Sequence, residues 1–433
     1  MPDYTHAPEP LGVPTRRAAL RLLDAVLRRG ESLESALPAA TRAIHGPDRG
    51  LAHAIAAETL RRLPDLDAMI DSVTKTNLPD DAKARMALRI ALVQVLILGT
   101  PSHAAISTVL PLVDGGPRKL VHGVFGTLFR ANMLLPEVPT LPAPVELRWE
   151  AAWGEEMVDA AGRAIAAPPP LDLTIADPAE TEGWREKLGG ESFMPGHLRL
   201  GDHDSVPDMA GFGDGAWWVQ DIAASLPARL LGKAPSEGGG HVLDLCAAPG
   251  GKTLQLAAAG WTVTSVDNSQ SRIKRLRENL YRTHLKSEVV NADILEWAPT
   301  EPADAILIDA PCSATGIFRR HPDVLHRVRP SIIAETAALQ ARIFARAADW
   351  VKPGGTLVYA TCSLEPSEGE AQLDAFLSAR SDYTIMPVDQ SELPAGITPT
   401  ETGPLAGSVR TLPGMLAEQG GCDGFFIARL KRS

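Results

Sequence analysis

Two cysteines each follow an apolar run that is typical of a buried strand: Cys312 comes after AILIDAP and Cys362 after LVYAT. Ligands of open α/β folds bind at the carboxyl ends of the strands, so both thiols are predicted to face one ligand. A thiolate that adds to carbon-6 of a pyrimidine makes carbon-5 nucleophilic enough to accept a methyl group. The adduct must then lose the carbon-5 proton and expel the thiol, and a second group near the ring can assist. The paired thiols therefore favour covalent chemistry on an electron-poor ring.

An aspartate and a lysine are candidates to bind the same ring and to activate the attacking thiol. Asp309 ends the apolar AILID run, directly ahead of Ala-Pro-Cys. Amino methyltransferases often use Asp or Asn at this place to hold an exocyclic amine, and there an aromatic residue stands where this chain has a thiol. A free thiol has a pKa of about 8.5, so the attacking one needs an electropositive setting. Lys252 and neighbouring helix N-termini are the candidates for that setting.

The segment HVLDLCAAPGGKT, residues 241–253, has the pattern of a strand, a tight turn and a helix. Three ligands suit such a turn. A phosphate-binding P-loop requires glycine where Cys246 stands, and the dinucleotide fingerprint G-x-G-x-x-G does not occur here. S-adenosylmethionine is the third ligand, since an acidic residue about 20 positions further on can bind a ribose. Asp267 has that spacing, and Asp293 ends a third apolar run. The pattern favours a methyl donor.

The elements that must position these residues are predicted to form three domains of an α/β protein. Helical patterns without strands cover residues 15–135, an all-α domain whose residues 88–98 are apolar on nearly all sides. Residues 146–225 mix short apolar pieces with Gly and Pro and predict a small α+β linking subdomain. Strand and helix patterns alternate within residues 226–433, which predicts a Rossmann-like methyltransferase domain.

Local signals give expected boundaries within these domains. Thr15 is expected to cap the first helix and Gly30 to end it. Residues 136–145 contain four prolines and are expected to form a linker, followed by a helix over residues 151–166. Asp221 is expected at the start of a helix after the strand WWV, whose tryptophans are expected to pack between domains rather than to stack on bases.

Composition bounds the class of protein. The chain has 433 residues, of which 45% are hydrophobic, as in a soluble globular protein. There is no apolar run long enough to span a membrane and no signal-peptide core, so a cytoplasmic location is expected. The four cysteines include no CxxC pair, so neither a metal site nor a disulfide framework is expected.

Charge is distributed unevenly. The net charge is −11, and residues 141–240 carry 17 acidic and 7 basic side chains, so the acidity lies mainly in one segment. Basic clusters elsewhere are candidates for contacts with nucleic acid. They are Arg16 with Arg17, Arg28 with Arg29, Arg118 with Lys119, and Arg319, Arg320 and His321 with Arg327 and Arg329.

The motifs together resemble the Sun family of RNA cytosine-5 methyltransferases, most closely the bacterial ribosomal-RNA type with a NusB-like helical domain at the N-terminus. The methyltransferase motifs are DLCAAPGGKT, VDNSQSRIKRLRENL, NADILEW, DAPCSATGIFRRHPD, YATCS and DGFFIARL. The segments LRIALVQVLILGTPSHAAI and KLVHGVFGTLFR resemble the NusB-like part. The resemblance covers nearly the whole chain and is weakest in 136–215 and 385–420.

The resemblance implies a role for each site residue. Cys362 would be the nucleophile, Cys312 would assist product release, Asp309 would hydrogen-bond the cytosine, and Lys252 would help to position it. The residues implied to bind S-adenosylmethionine are Cys246, Ala247, Ala248, Pro249, Gly250, Gly251, Lys252, Asp267, Arg272, Asp293 and Asp309. The acidic pair usual in the family after the TCS motif appears here as Pro366-Ser367-Glu368, with one carboxylate.

The implied function is methylation of carbon-5 of a cytosine in ribosomal RNA, with small-subunit RNA as the expected substrate and a monomer as the default state. The target base must leave its stack, so unstacked RNA is expected. Two alternatives remain open. The chain could be an RNA-binding NusB-like module with a non-catalytic methyltransferase fold. It could also be an enzyme with exchanged roles, in which Cys312 attacks.

Overall fold

A computed structural model describes residues 10–201, 203–235 and 239–433. The chain divides into two compact units. Described residues up to Ala151, together with Val158–Ala167 and Phe318–Val328, form the first unit, and Ala152–Met157, Pro168–Ile317 and Arg329–Ser433 form the second. The predicted linking subdomain, residues 146–225, is thus divided between the two units instead of standing alone.

The first unit is built from helices. In chain order they are α1 (Val13–Arg29), α2 (Leu33–Ala40), α3 (Pro47–Arg61), α4 (Leu63–Asp71), α5 (Lys83–Leu96), α6 (Ser102–Val109) and α7 (Gly116–Arg130). Two helices, α8 (Ala143–Trp153) and α9 (Glu155–Ile165), follow in the region where the chain changes unit. The predicted proline linker therefore already contains the start of α8, and the single helix predicted over 151–166 is wrong because the chain breaks at Gly154, which has a φ of 84°.

Helix α5 is the centre of the first unit, as its apolar sequence predicted. Its residues from Ala84 to Gln94 are all buried, and the buried polar side chains Arg85, Arg89 and Gln94 are paired. Gln94 accepts hydrogen bonds from Arg16 Nε at 2.7 Å and from Arg16 Nη2 at 2.5 Å. Arg16 is therefore buried in the core, and its proposed contact with nucleic acid is wrong.

The first helix begins earlier than predicted. Its N-cap is Gly12 and Pro14 lies in the first turn, where proline is favoured because its missing N–H needs no partner. Thr15 is not the cap; its buried hydroxyl donates to Asp48 at 2.9 Å. Gly30 ends the helix as predicted, with a φ of 70°.

The second half of the chain alternates strands and helices. The elements are β1 (Leu171–Ile175), α10 (Thr181–Leu188), β2 (His197–Leu200), β3 (Trp217–Val219), α11 (Ile222–Arg229), β4 (His241–Leu245), α12 (Gly251–Ala258), β5 (Thr262–Asp267), α13 (Gln270–Thr283), β6 (Glu288–Asn291), β7 (Ala303–Asp309), α14 (Val324–Arg327), α15 (Pro330–Ala348), β8 (Val351–Thr361), α16 (Glu370–Ala379), β9 (Tyr383–Ile385), β10 (Val409–Thr411) and β11 (Phe425–Arg432).

The large sheet of the second unit has the order β10-β11-β8-β7-β4-β5-β6, and β9 pairs with β11. Strands β4 to β8 run parallel, and β11 lies antiparallel to β8. Alternate residues of β4 enter different cores: Val242 packs with Leu256, and Leu243 packs with Ile306. This is the predicted doubly wound arrangement, with the ligand edge at the carboxyl ends of the parallel strands.

A three-stranded sheet, ordered β2-β1-β3, precedes the large sheet within the second unit. Its buried Asp172 accepts two hydrogen bonds from Arg199, at 2.6 and 2.7 Å. Trp217 and Trp218 are buried, as their predicted packing role requires. Asp221 caps α11 by accepting from Ala223 N at 2.9 Å.

Residues 318–328 leave the second unit and pack with the helices of the first. The Phe318 ring lies 5.4 Å from that of Trp149, and His326 Nε2 lies 2.7 Å from the Leu60 carbonyl oxygen. Arg61 Nη2 donates to the Arg319 carbonyl at 2.7 Å. The Arg319 side chain is 2% exposed, so the expectation that it faces RNA phosphates is wrong. Across the described residues, every helix is too short or too polar to span a bilayer.

Candidate active site

The turn after β4 is shaped by residues that adopt a left-handed backbone. Cys246 has a φ of 61°, and Gly250, the N-cap of α12, has a φ of 111°. The backbone conformation of Gly250 favours glycine, and a Cβ atom there would lie 2.4 Å from Leu276 Cδ1, so that side chain would have to move. The turn therefore brings its backbone N–H groups close to the carboxyl end of the sheet, where they can bind a polar ligand.

Acidic residues at the ends of the next two strands lie beside this turn. Asp267, at the end of β5, accepts hydrogen bonds from Ala248 N at 3.1 Å and from Ser269 N at 2.8 Å. Asp293 is exposed and accepts from Leu295 N at 2.8 Å. Arg272 donates to the Ala248 carbonyl oxygen and lies 3.6 Å from Asp267.

A cavity of about 380 Å³ joins these strand ends to the two cysteines. Of the predicted site residues, those that line it are Cys246, Asp267, Arg272, Asp293, Asp309, Cys312 and Cys362. Ala247 and Ala248 instead bury their side chains in an apolar cluster with Leu276, and Pro249 to Lys252 are not part of the lining. Residues 247–251 can therefore serve a ligand mainly through their backbone.

Lys252 and Asp309 form a partly buried ion pair. Lys252 Nζ donates to Asp309 Oδ2 at 2.8 Å, and the carboxylate remains about one-third exposed. Burial by itself would lower the pKa of Lys252, but the charge and hydrogen bond of Asp309 outweigh it, so that the pKa is raised, with Cys362 adding to the shift. A permanent positive charge thus stands near Cys362.

The two cysteines are brought together by the sheet. Strands β7 and β8 are adjacent and parallel, with Asp309 opposite Ala360, so that the loops leaving them run side by side. Cys312 Sγ and Cys362 Sγ lie 3.4 Å apart. The hydrogen bond with Cys362, followed by burial, raises the pKa of the Cys312 thiol well above its usual range. Both effects disfavour a thiolate on Cys312.

Close backbone contacts fix the two loops against each other. Gly316 N donates to the Cys362 carbonyl oxygen at 2.9 Å, and Gly424 N donates to the Gly316 carbonyl oxygen at 2.8 Å. A Cβ on Gly316 would lie 1.9 Å from the Gly424 oxygen. Glycine is the residue that permits this approach of three segments.

Glu368 belongs to this site, although its sequence context did not predict a role for it. Its carboxylate is fully buried and accepts hydrogen bonds from Ser313 N at 2.9 Å and from the hydroxyls of Ser313, Ser363 and Thr336. The signal in the sequence was the single carboxylate after the TCS motif. Its contacts depend on the packing of α15, which the local sequence does not reveal.

Two further groups at the end of β4 and in the turn have raised pKa values. Burial raises the pKa of the Cys246 thiol far above its usual range. Burial also raises the pKa of Asp244 to about 7, although its Oδ2 accepts a hydrogen bond from Thr253 at 2.5 Å. Within the described residues, there is no cluster of three or more His, Cys, Asp or Glu side chains that could hold a metal ion.

The chain is similar to proteins of one family along nearly its whole length. Residues 232–431 match the family described as 16S rRNA methyltransferase RsmB/F, and residues 13–122 match the NusB family. The ribosomal RNA small subunit methyltransferase B of Erwinia tasmaniensis is 32% identical and is aligned over 96% of this chain and 98% of its own length. The protein of the same name from Xylella fastidiosa is 36% identical, over 97% of this chain and 98% of its own.

Solved structures agree in fold. The crystal structure of PH0851 has a TM-score of 0.74 at 22% identity, over 98% of this chain and 100% of its own. The NSun6 structure from Pyrococcus horikoshii, solved with SFG, has a TM-score of 0.57 at 18% identity, over 67% of this chain and 98% of its own. The resemblance inferred from the motifs is confirmed: the protein is an RNA methyltransferase that belongs to the RsmB/F family, with a NusB-family helical part at its N-terminus.

Proposed function

We propose that this methyltransferase transfers a methyl group from S-adenosylmethionine to carbon-5 of a cytosine in small-subunit ribosomal RNA, by way of a covalent adduct with Cys362. The observation that carries the proposal is the pair of thiols 3.4 Å apart in the cavity that also contains the acidic strand ends. The relatives named above support the choice of RNA. The same cavity argues against a purely RNA-binding protein, since binding alone needs no paired thiols.

The residues around the glycine turn fit a methyl donor. When bound, S-adenosylmethionine supplies an electrophilic methyl group. The exposed carboxylate of Asp293 and the backbone around Cys246 and Gly250 would hold its nucleoside and amino-acid parts, and Asp267 would bind the ribose. Asp267 also fixes the turn through Ala248 N, so it shapes the site as well as lining it.

The base would be held by Asp309 and attacked by Cys362. The Asp309 carboxylate, paired with Lys252 at 2.8 Å, accepts a hydrogen bond from the exocyclic amine. The Cys362 thiolate forms a bond to carbon-6, and the electron pair of the carbon-5–carbon-6 double bond makes carbon-5 the nucleophile for the methyl group. Lys252 stabilises the thiolate before attack, because its ammonium charge acts on Cys362.

Release of the product would break the bond between the Cys362 sulfur and carbon-6. Carbon-5 loses its proton to solvent water, the electron pair of that carbon–hydrogen bond restores the ring double bond, and the carbon-6–sulfur bond breaks with its electron pair returning to Cys362. Cys312 keeps its proton and lies 3.4 Å from the leaving sulfur, so its thiol can donate a hydrogen bond to it. The charge of Glu368 further disfavours a thiolate on Cys312, which supports Cys362 as the nucleophile and argues against exchanged roles.

The test uses two variants with the methyl donor and ribosomal RNA. Cys362→Ala is expected to yield neither 5-methylcytosine nor a covalent complex, whereas Cys312→Ala is expected to accumulate a protein–RNA adduct on a denaturing gel. Full activity of Cys362→Ala would refute the proposed nucleophile. An adduct in Cys362→Ala that is absent from Cys312→Ala would establish the exchanged roles instead. Bisulfite mapping of ribosomal RNA from cells lacking the protein would identify the cytosine.

A further inference from the structure

One buried carboxylate touches the residue after each of the two cysteines. Glu368 lies in a turn, Pro366–Glu368, and has no solvent exposure. Its Oε1 accepts from Ser313 N at 2.9 Å, and its Oε2 accepts from the hydroxyls of Ser313 and Ser363. Ser313 directly follows Cys312, and Ser363 directly follows the second thiol. The carboxylate is therefore a bridge between the two loops.

Helix α15 anchors the bridge. Thr336 on this helix donates to Glu368 Oε1, and Gln340 Nε2 donates to the Pro311 carbonyl oxygen at 2.8 Å. The Tyr359 hydroxyl donates to the Glu368 carbonyl oxygen at 2.8 Å, which fixes the backbone of the turn. Pro311 and Ser313, which flank Cys312, are thus both held by hydrogen bonds, the first from Gln340 on α15 and the second to Glu368.

A charge at this position requires an explanation. Burying a carboxylate is unfavourable unless hydrogen bonds replace the lost water, and apolar groups often stabilise such a position as well as a paired charge does. The hydrogen bonds of Glu368 are directional and end on the residues that follow the two cysteines, whereas an apolar side chain of similar volume would fill the space without setting either loop.

We propose that Glu368 is a positioning residue that sets the separation of Cys312 and Cys362 through Ser313 and Ser363. Its effect on thiol spacing follows from the geometry, and its effect on catalysis rests on the proposed function above. Attack on the base needs one sulfur, whereas release uses both. Loss of the bridge is therefore expected to slow release more than attack.

The first experiment measures the spacing without RNA. A diazene-type oxidant such as diamide takes one proton and one electron from each of two thiols and is reduced to the hydrazine, while the sulfurs form a disulfide. In the unaltered protein the Cys312–Cys362 disulfide is expected to form rapidly, as measured by peptide mass spectrometry. Glu368→Gln and Glu368→Ala should form it severalfold more slowly. Glu392→Gln is the matched control, because Glu392 pairs with Arg429 and contacts neither loop.

An unchanged rate of disulfide formation in a folded Glu368→Ala protein would overturn the proposal. Should that variant fail to fold, the double variant Ser313→Ala with Ser363→Ala removes hydroxyl donors from the bridge while keeping the carboxylate in place, and the same slower rate is expected. This measurement does not depend on methylation, so its failure is distinct from a failure of the proposed function.

The second experiment separates attack from release. With RNA and methyl donor, Glu368→Gln is expected to lower turnover by on the order of tenfold to a hundredfold, as small displacements of reacting groups do. The covalent adduct should accumulate, and KM for RNA should stay near that of the unaltered enzyme. A parallel fall of adduct and product in a folded variant would contradict a role in release and would mean that Glu368 only maintains the fold.

Discussion

Cys312 Sγ and Cys362 Sγ lie 3.4 Å apart although fifty positions separate the two residues along the chain. The pairing of β7 with β8 accounts for this, because Asp309 stands opposite Ala360 and each cysteine follows within a few residues. The sheet thus makes one site from two distant motifs. The two thiols nevertheless differ in environment, since Lys252 acts on Cys362 and Glu368 acts on Cys312.

This difference predicts the order in which the thiols react. At neutral pH, iodoacetamide is expected to modify Cys362 first, because the pKa values of Cys246 and Cys312 are raised and Cys422 is buried. Peptide mass spectrometry after a short exposure measures the order. Lys252→Met should slow the reaction of Cys362 by removing the nearby positive charge. Faster labelling of Cys246 than of Cys362 would be inconsistent with this environment.

Asp244 predicts a pH-dependent stability. Its pKa is raised by burial to about 7, against about 3.9 for an unfolded aspartate. The stability that the folded protein gains from protonated Asp244 is fully present below the unfolded pKa and is lost as the pH rises to about 7. Asp244→Asn has no such proton to lose, so its free energy of unfolding should improve relative to the unaltered protein by up to about 3 kcal/mol between about pH 5 and pH 8. Urea unfolding of both proteins at about pH 5 and pH 8 measures this change. An equal difference in the free energy of unfolding at the two pH values would exclude a raised pKa of Asp244.

Gly316→Ala is expected to disrupt the cysteine loops. The added Cβ would lie 1.9 Å from the Gly424 oxygen and 2.9 Å from the Cys362 oxygen, and backbone atoms cannot move away as a flexible side chain can. Overpacking of this kind costs about 1–3 kcal/mol, and methylation should fall more than stability because a catalytic loop is displaced. Gly213→Ala, whose Cβ would meet nothing within 4 Å, is the control for thermal unfolding and activity. Full activity of Gly316→Ala would show that the loops can separate freely.

Arg61 is expected to hold residues 318–328 in the helical unit. Its buried guanidinium donates to the carbonyl oxygens of Arg319 at 2.7 Å and Ile165 at 3.2 Å and pairs with Glu58. Arg61→Met removes these hydrogen bonds and the ion pair with Glu58, and breaking a buried pair costs about 3–5 kcal/mol.

The measurement is hydrogen exchange together with unfolding. Amides of 318–328 should lose protection in Arg61→Met. Arg28→Ala, which removes an exposed pair with Asp24, should change stability by less than about 1 kcal/mol. Unchanged protection of the segment in Arg61→Met would assign its packing to the rings of Phe318 and Trp149 instead.

Much of the site was predictable from the sequence because it lies at strand ends. Apolar runs followed by Asp309, Cys312 and Cys362 identify the strands, and parallel strands present their carboxyl ends at one edge of a sheet. Side chains whose partners are distant were harder to predict. A basic run such as Arg319 to His321 has the composition of an exposed surface, and burial by helices far away in sequence leaves no local signal.

Glu368 shows the same limit within the site. A single carboxylate after a proline has the sequence of an exposed turn, and its burial depends on α15 and on two serines in separate loops. The predicted start of α1 was wrong for a local reason. Gly12 is the N-cap of α1, ahead of Thr15, and Pro14 suits the first turn because its fixed φ is already helical.

The excursion of residues 318–328 also bears on how the polypeptide can be cut. A fragment that ends in the proline-rich stretch 136–145 would lack the eleven residues 318–328, which complete its core. The complementary fragment would carry Phe318 and its apolar neighbours without the hydrophobic environment in which they pack. Neither half should therefore fold autonomously when expressed alone, whereas mixing the two should restore a complex. Each unit is therefore built from segments that are not contiguous in sequence, and a single cut in the chain cannot separate the two units.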